Sequence, residues 1–120
     1  MQISLRDRSE FQNVYRNGKR FDGDYITVFV IDNEGLHHRL GVTASKKALG
    51  KAVNRNRAKR LMREAFRLSG GSLQMLTRKY DWVMNAKLAI VDEKVNAPGQ
   101  ELEKIIKKVG RLEIRRAVIE

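Results

Sequence analysis

KKALGKAVNRNRAKRLMREAFR, residues Lys46 to Arg67, is the stretch on which the reading of this chain turns. Ten Lys or Arg fall between Arg39 and Arg67, against the single acid Glu64. A solvated charge run normally mixes both signs and carries no apolar rhythm. Here the rhythm is present. Over Asn54 to Ser69, residues Ala58, Leu61, Met62, Ala65, Phe66 and Ser69 recur at i, i+3 and i+4, which predicts one helix with a core-facing side. At about 100° per residue, Asn56, Lys59, Arg60, Arg63 and Arg67 gather on the opposite side. One face is built to dock on a core and the other to meet something negative.

Working outward, two segments ahead of the helix read as strands. Tyr25 to Ile31 is dense in β-branched and aromatic residues, and Arg39 to Ser45 alternates enough to be half buried. Between them Asp32-Asn33-Glu34-Gly35 has turn chemistry, with Asn33 and Gly35 suited to positive φ, so the simplest pairing is an antiparallel hairpin. Further upstream, Ser9 to Asn17 predicts a short helix with Ser9 as N-cap and Gly18 as a left-handed C-cap. Its stripe is Phe11, Val14 and Tyr15; Phe11 and Tyr15 share a face, either as core or as exposed rings. Gly18 to Asp24 reads as a polar connection.

Downstream, Gly70 and Gly71 stop the basic helix, and Leu73 to Lys79 allows a further short helical turn. Tyr80 to Ala86, with Trp82, Val83 and Met84, is a third strand; Leu88 to Ala97 has no regular pattern. Pro98 opens a last helix, with Glu101 and Glu103 near its positive end. Leu102, Ile105, Ile106 and Val109 form its buried face, and Gly110 weakens it midway. The order helix, strand, strand, basic helix, strand, helix predicts an α+β protein: a compact sandwich of helices on a small sheet, one domain over 1–120.

Composition narrows the partner. Twenty-five Lys and Arg against fourteen Asp and Glu leave +11, a charge that concerns partners rather than fold and points to nucleic acid. The chain has no cysteine, which excludes disulfides and Cys-based zinc sites. The charged N-terminus MQISLRDRSE lacks the apolar core of a signal peptide, and Tyr25 to Ile31 is far short of the roughly 20 residues that cross a bilayer. A cytoplasmic location without membrane contact is expected.

Catalytic signatures are missing. His37 and His38 are adjacent, so on a strand they diverge and cannot chelate one metal; both read as surface histidines. Gly50-Lys51 resembles the end of a phosphate-binding loop, but Ser45 stands at its first glycine and Ala52 at its magnesium-binding hydroxyl. The acidic pairs Asp22/Asp24 and Asp92/Glu93 suit turns or solvent better than acid–base work. Polyanion binding fares better: if five to seven phosphates are neutralised, log K should fall against log salt with a slope of about −4 to −6.

Arg55-Asn56-Arg57, followed by Lys59-Arg60 and Arg63, resembles the RNR motif of the protein subunit of bacterial ribonuclease P. The likeness runs back through Ser45-Lys46-Lys47 and forward through Glu64 and Phe66. Gly41-Val42-Thr43 is similar to the strand that leads into that motif. Ser9-Glu10-Phe11 with Tyr15 and Gly18 is similar to the family's first helix, D/E-F-x-x-V/L-F/Y-x-x-G. Residues 5 to 86 are covered closely and the rest in outline; three linked motifs at family spacing are specific where RNR alone is weak.

The resemblance implies an α/β sandwich with a small mixed sheet, three helices and a left-handed βαβ crossover around the RNR helix. It also implies binding to the catalytic RNA and to the 5′ leader of precursor tRNA, assisting endonucleolytic removal of the leader. The RNA would perform the chemistry with Mg2+ held mainly by the RNA and substrate, none by the protein alone, and no protein partner would be obligatory. Carried over, the RNA-facing set is Lys46, Lys47, Lys51, Arg55, Asn56, Arg57, Lys59, Arg60, Arg63 and Arg67, and Phe11, Tyr15 and Phe29 line the leader cleft. Two features depart from the family pattern: the long connection Leu88 to Gln100, and a C-terminal LEIRRAVIE whose Leu112, Ile114, Val118 and Ile119 need cover. The alternatives are a structural RNA binder of ribosomal-protein type with no processing role, and a DNA-reading domain. The latter lacks a helix-turn-helix pairing and a dimerisation signal.

Overall fold

Tyr80–Ala86 is the strand around which the sheet is built. Six of its seven residues are buried, including Trp82, Val83 and Met84, so it must be covered on both faces. The computed structural model describes residues 3–119, with side chains through 116. Its strands are β1 (Ile3–Ser4), β2 (Lys19–Asp22), β3 (Ile26–Asp32), β4 (Arg39–Thr43) and β5 (Tyr80–Ala86). Their order is β1-β4-β5-β3-β2, with β5 antiparallel to β3 and parallel to β4. The expected β3–β4 hairpin is therefore absent: β5 lies between the two. The strand with two apolar faces takes the centre, where helices can cover both sides.

The helices are α1 (Arg8–Asn17), α2 (Lys46–Leu49), α3 (Ala52–Leu68), α4 (Gly70–Gln74) and α5 (Asn96–Ile119), with a 3-10 turn at Leu88–Asp92. Helix α3 packs over β4 and β5 and against α5, while α1 covers the other sheet face over β3 and β5. The main core joins Ile26, Val28, Leu40, Trp82 and Met84 to Leu61, Met62 and Phe66 of α3 and Leu102, Ile105, Ile106 and Val109 of α5. A smaller core under α1 holds Leu5, Val14 and Val83. Strand alternation assigns each side chain to one core or the other.

Several local expectations change. Lys19–Asp22, expected as a connection, is an edge strand on β3; an edge is held by backbone pairing and tolerates charged side chains. Helix α1 starts from Asp7 instead of Ser9, with Glu10 Oε1 accepting the Arg6 and Asp7 amides, both at 3.0 Å. Gly18 is extended (φ −81°), not left-handed; it is needed because a Cβ there would lie 2.5 Å from the Val14 carbonyl oxygen. In the β3–β4 connection Glu34 takes the positive φ of 53°, while the Asn33 side chain accepts the Gly35 amide. The basic helix ends where expected, at Leu68 with buried Ser69 as its cap. Gly70 and Gly71 then begin α4, a few residues ahead of the short turn expected from Leu73. Gly110 lies within α5 without ending it.

His38 is not a surface histidine. Its Nδ1 accepts the Tyr80 amide and the Trp82 indole N–H, each at 3.1 Å, and its Nε2 lies 3.3 Å from the Leu73 carbonyl oxygen. Two donors on Nδ1 fix the neutral ring with its proton on Nε2. Burial holds the imidazole below its ordinary pKa. His37 is exposed, as expected. Leu112 is half covered and Ile114 is exposed, while the side chains of Val118 and Ile119 lie outside the described residues.

Candidate nucleic-acid interface

The buried face of α3 is Ala58, Leu61, Met62, Ala65 and Phe66, and Ser69 follows at the cap. That anchorage fixes which cations point outward. Asn56, Arg60, Arg63 and Arg67 are exposed and Lys59 is partly so. Arg67 bonds half-buried Glu64 one turn away, a solvent-screened pair that leaves it open to competition from phosphate.

Ahead of α3, Ser45 caps α2 by accepting the Ala48 amide at 3.1 Å, and Gly50 reverses the chain at φ 71°. Lys46, Lys47 and Lys51 are all exposed around this turn. The first turn of α3 carries no acid and no side-chain cap, so its free amides and positive dipole end add to those lysines.

Two arginines of the motif differ from their neighbours. Arg57 turns to the flank, where Nε donates to the Val91 carbonyl at 2.9 Å and Nη2 to the Glu93 carbonyl at 2.8 Å. It holds the 3-10 segment onto α3. Arg55 is half buried, and its Nε is a buried donor with no hydrogen-bond partner among the described residues. A buried donor left open costs about 1–3 kcal/mol, which a bound acceptor would recover.

The second part of the site is the sheet face beneath α1. Arg20, Phe29, Val83 and Gly41 stand in one cross-sheet row, and Asp22, Thr27, Asn85 and Thr43 in the next. Tyr15 is exposed, meets Phe29 edge-on at 4.9 Å, and donates its hydroxyl to Asn85 Oδ1 at 2.8 Å. Thr43 Oγ1 reaches the same oxygen at 2.5 Å. The Arg20 guanidinium sits 5.6 Å from the Phe29 ring centre, within cation–π range. Phe11 is half buried over Gly41, whose missing Cβ would come within 2.5 Å of the ring.

Helix α1 is locked over this face by charge. Arg39 grips buried Asp81 through Nε at 2.7 Å and Nη2 at 2.6 Å, and bonds Glu10 through Nη1 at 2.6 Å. Glu10 is held below the usual carboxylate range, first by the Asp7 and Arg6 amides and then by Arg39. Apart from Glu10 itself, no local pattern announces this clamp, because Arg39 and Asp81 meet only across the β4–β5 pairing.

Cation and aromatic surfaces meet at one place. Phe11 and Arg63 line a single cavity of about 90 Å³ with Ser4, Leu5, Leu40, Gly41 and Val42. The fold thus brings Phe11, Tyr15 and Phe29 together, stands Arg63 of α3 beside Phe11, and sets Arg57 apart. Among the described residues, no three His, Cys, Asp or Glu side chains converge to hold a metal ion.

Fold and site together define a small basic α+β module with a cationic outward face on α3, whose Arg63 adjoins the aromatic cluster at Phe11. The chain belongs to the ribonuclease P protein family, whose model, "Ribonuclease P", matches residues 1–110. It is 36% identical over 117 residues to the ribonuclease P protein component of Clostridium perfringens, covering 92% of this chain and 90% of that protein. The ribonuclease P protein of Staphylococcus aureus superposes with a TM-score of 0.73 at 27% identity, over 91% of this chain and 96% of that one. The Thermotoga maritima ribonuclease P protein gives 0.74 at 26% identity, over 89% and 97%. No described helix is long and apolar enough to cross a membrane.

Proposed function

We propose that this chain, as the protein component of the endoribonuclease ribonucleoprotein ribonuclease P, docks on the catalytic RNA through the outward face of α3. In the same complex it holds the 5′ leader of precursor tRNA in the cleft under α1. The observation that carries this reading is the shared cavity of Arg63 and Phe11, which joins a phosphate-binding surface to a base-stacking one. Arginine forks on α3 suit bidentate phosphate contacts, and each base stacked on an aromatic ring is worth about 1–3 kcal/mol.

The RNA carries the hydrolysis, and the Mg2+ ions it uses are held mainly by the RNA and the substrate. What supports this division is the make-up of the site: its outward groups are Arg and Lys, permanent donors that stabilise phosphate and cannot act as a general base at neutral pH. Their charge screens repulsion between two RNAs and so lowers the Mg2+ needed. The test is to add the protein to a bacterial ribonuclease P RNA at low Mg2+ and follow cleavage of precursor tRNA. Stimulated cleavage is expected. A stable complex with no stimulation would favour the structural RNA-binder reading instead.

A further inference from the structure

The outward face of α5 is a second cationic ridge, which docking through α3 leaves unused. Lys104, Lys107, Lys108, Arg111 and Arg115 are all exposed. At about 100° per residue they fall within an arc of roughly 100°, spread along about 16 Å of helix. None of the five makes an ion pair among the described residues.

The acids of the same helix are turned away. Glu101 accepts the amides of Asp24, Tyr25 and Ile26 at 2.6–3.2 Å. Glu103 accepts the Ser72 hydroxyl, although Lys107 stands one turn along and would form an ordinary surface pair. Glu113 accepts the Thr77 and Arg78 amides, each at 3.0 Å, and the Tyr80 hydroxyl at 2.6 Å. Every described acid of α5 is therefore used inward, and every cation named faces out.

A solvated helix face would mix signs. Here Lys104/Lys108, Lys107/Arg111 and Arg111/Arg115 are like charges four residues apart, which repel. The negative C-terminal end of the dipole accounts for Arg115 at most, since its reach is the last turn. Lys104, Lys107 and Lys108 stand mid-helix. Helix α5 packs beside α3, with the 8–10 Å between axes that is usual for packed helices. A groove of about 480 Å³ lies between them, lined in part by Leu68, Ser69, Asn96, Gln100, Lys104 and Lys107.

We propose that the outward face of α5 is a second phosphate-binding surface, engaged by a further backbone segment of the same RNA that docks on α3. The inference rests on the proposed RNA docking and extends it to the helix flank remote from the aromatic cleft. Two ridges on packed helices fit two backbone passes, such as the strands of one stem.

The test compares wild type with K104Q/K107Q/K108Q/R111Q/R115Q and with R60Q/R63Q/R67Q; Gln keeps helix propensity, and thermal melts verify folding. Affinity for ribonuclease P RNA is measured across a salt series. The α5 variant is expected to bind about 10- to 100-fold more weakly, with a log–log salt slope shallower by about 2–4, at roughly 0.9 for each phosphate no longer neutralised. An unchanged slope for the α5 variant, with a shallower one for the α3 variant, would overturn this inference alone. Unchanged slopes for both variants would remove the docking reading as well. An effect confined to precursor tRNA affinity, or to binding of phosphatidylserine vesicles, would also overturn it.

Discussion

Replacing Arg39 by Met tests the clamp that sets α1 over the sheet. Asp81 is only 3% exposed, and three of its contacts are Arg39 Nε at 2.7 Å, Arg39 Nη2 at 2.6 Å and Asn33 Nδ2 at 2.9 Å. Removing one partner of a buried pair typically costs 3–5 kcal/mol, because a charge stays behind in a poor solvent. The Arg39 side chain is 34% exposed and Asn33 remains, so water screens part of the loss and about 2–3 kcal/mol is expected here. At a urea m-value of about 1.5 kcal/mol/M, the midpoint should fall by about 1.3–2 M. Adding Asp81→Asn should restore at least half, since the stranded charge is then gone. Urea unfolding followed by Trp82 fluorescence measures both. A midpoint shift below about 0.3 M, or a double variant as unstable as the summed singles, is incompatible with a stranded buried charge.

Gly41→Ala should displace Phe11, destabilise the fold by about 1–3 kcal/mol and weaken precursor over mature tRNA; pairing it with Phe11→Ala should give sub-additive losses in unfolding experiments. Tyr15→Ala should reduce leader affinity by about 1–3 kcal/mol, whereas Tyr15→Phe, which keeps the ring, should cost under about 1 kcal/mol in equilibrium binding. Arg57→Met should lower stability by about 1–3 kcal/mol in denaturant unfolding and raise hydrogen exchange around Val91, while Arg60→Met leaves stability unchanged. His38 is held below its ordinary value by burial, so its contribution is present above about pH 6.5 and declines as pH falls; the urea midpoint should drop there and flatten in His38→Gln.

The amphipathic helix was legible because both its faces are written in local spacing: the five residues of α3 that are buried were all expected from their rhythm. Strand neighbours were not legible from local spacing, since β4 and β5 pair in parallel across a helical crossover that leaves no local mark; only the family resemblance implied that crossover. The edge strand β2 escaped notice because its pairing uses backbone, and Lys19 and Arg20 look like loop residues. The same limit separates Arg57 from Arg60. Three residues apart in one motif, they differ because the Val91 and Glu93 carbonyls come from over thirty residues downstream. His38 likewise acquires its role only when Tyr80 and Trp82 arrive on β5.

If α3 binds RNA and does not cut it, affinity and chemistry should separate in a single experiment. That experiment is single-turnover cleavage of precursor tRNA by ribonuclease P RNA, titrated with wild-type protein and with R60A/R63A. Losing two charge-assisted contacts should raise the half-saturating protein concentration by about 10- to 100-fold or more. The rate at saturating protein should stay within about threefold of wild type, because no proton-transfer group has been lost. A saturating rate lowered by about 100-fold or more, with assembly unimpaired, would instead place α3 in the chemical step.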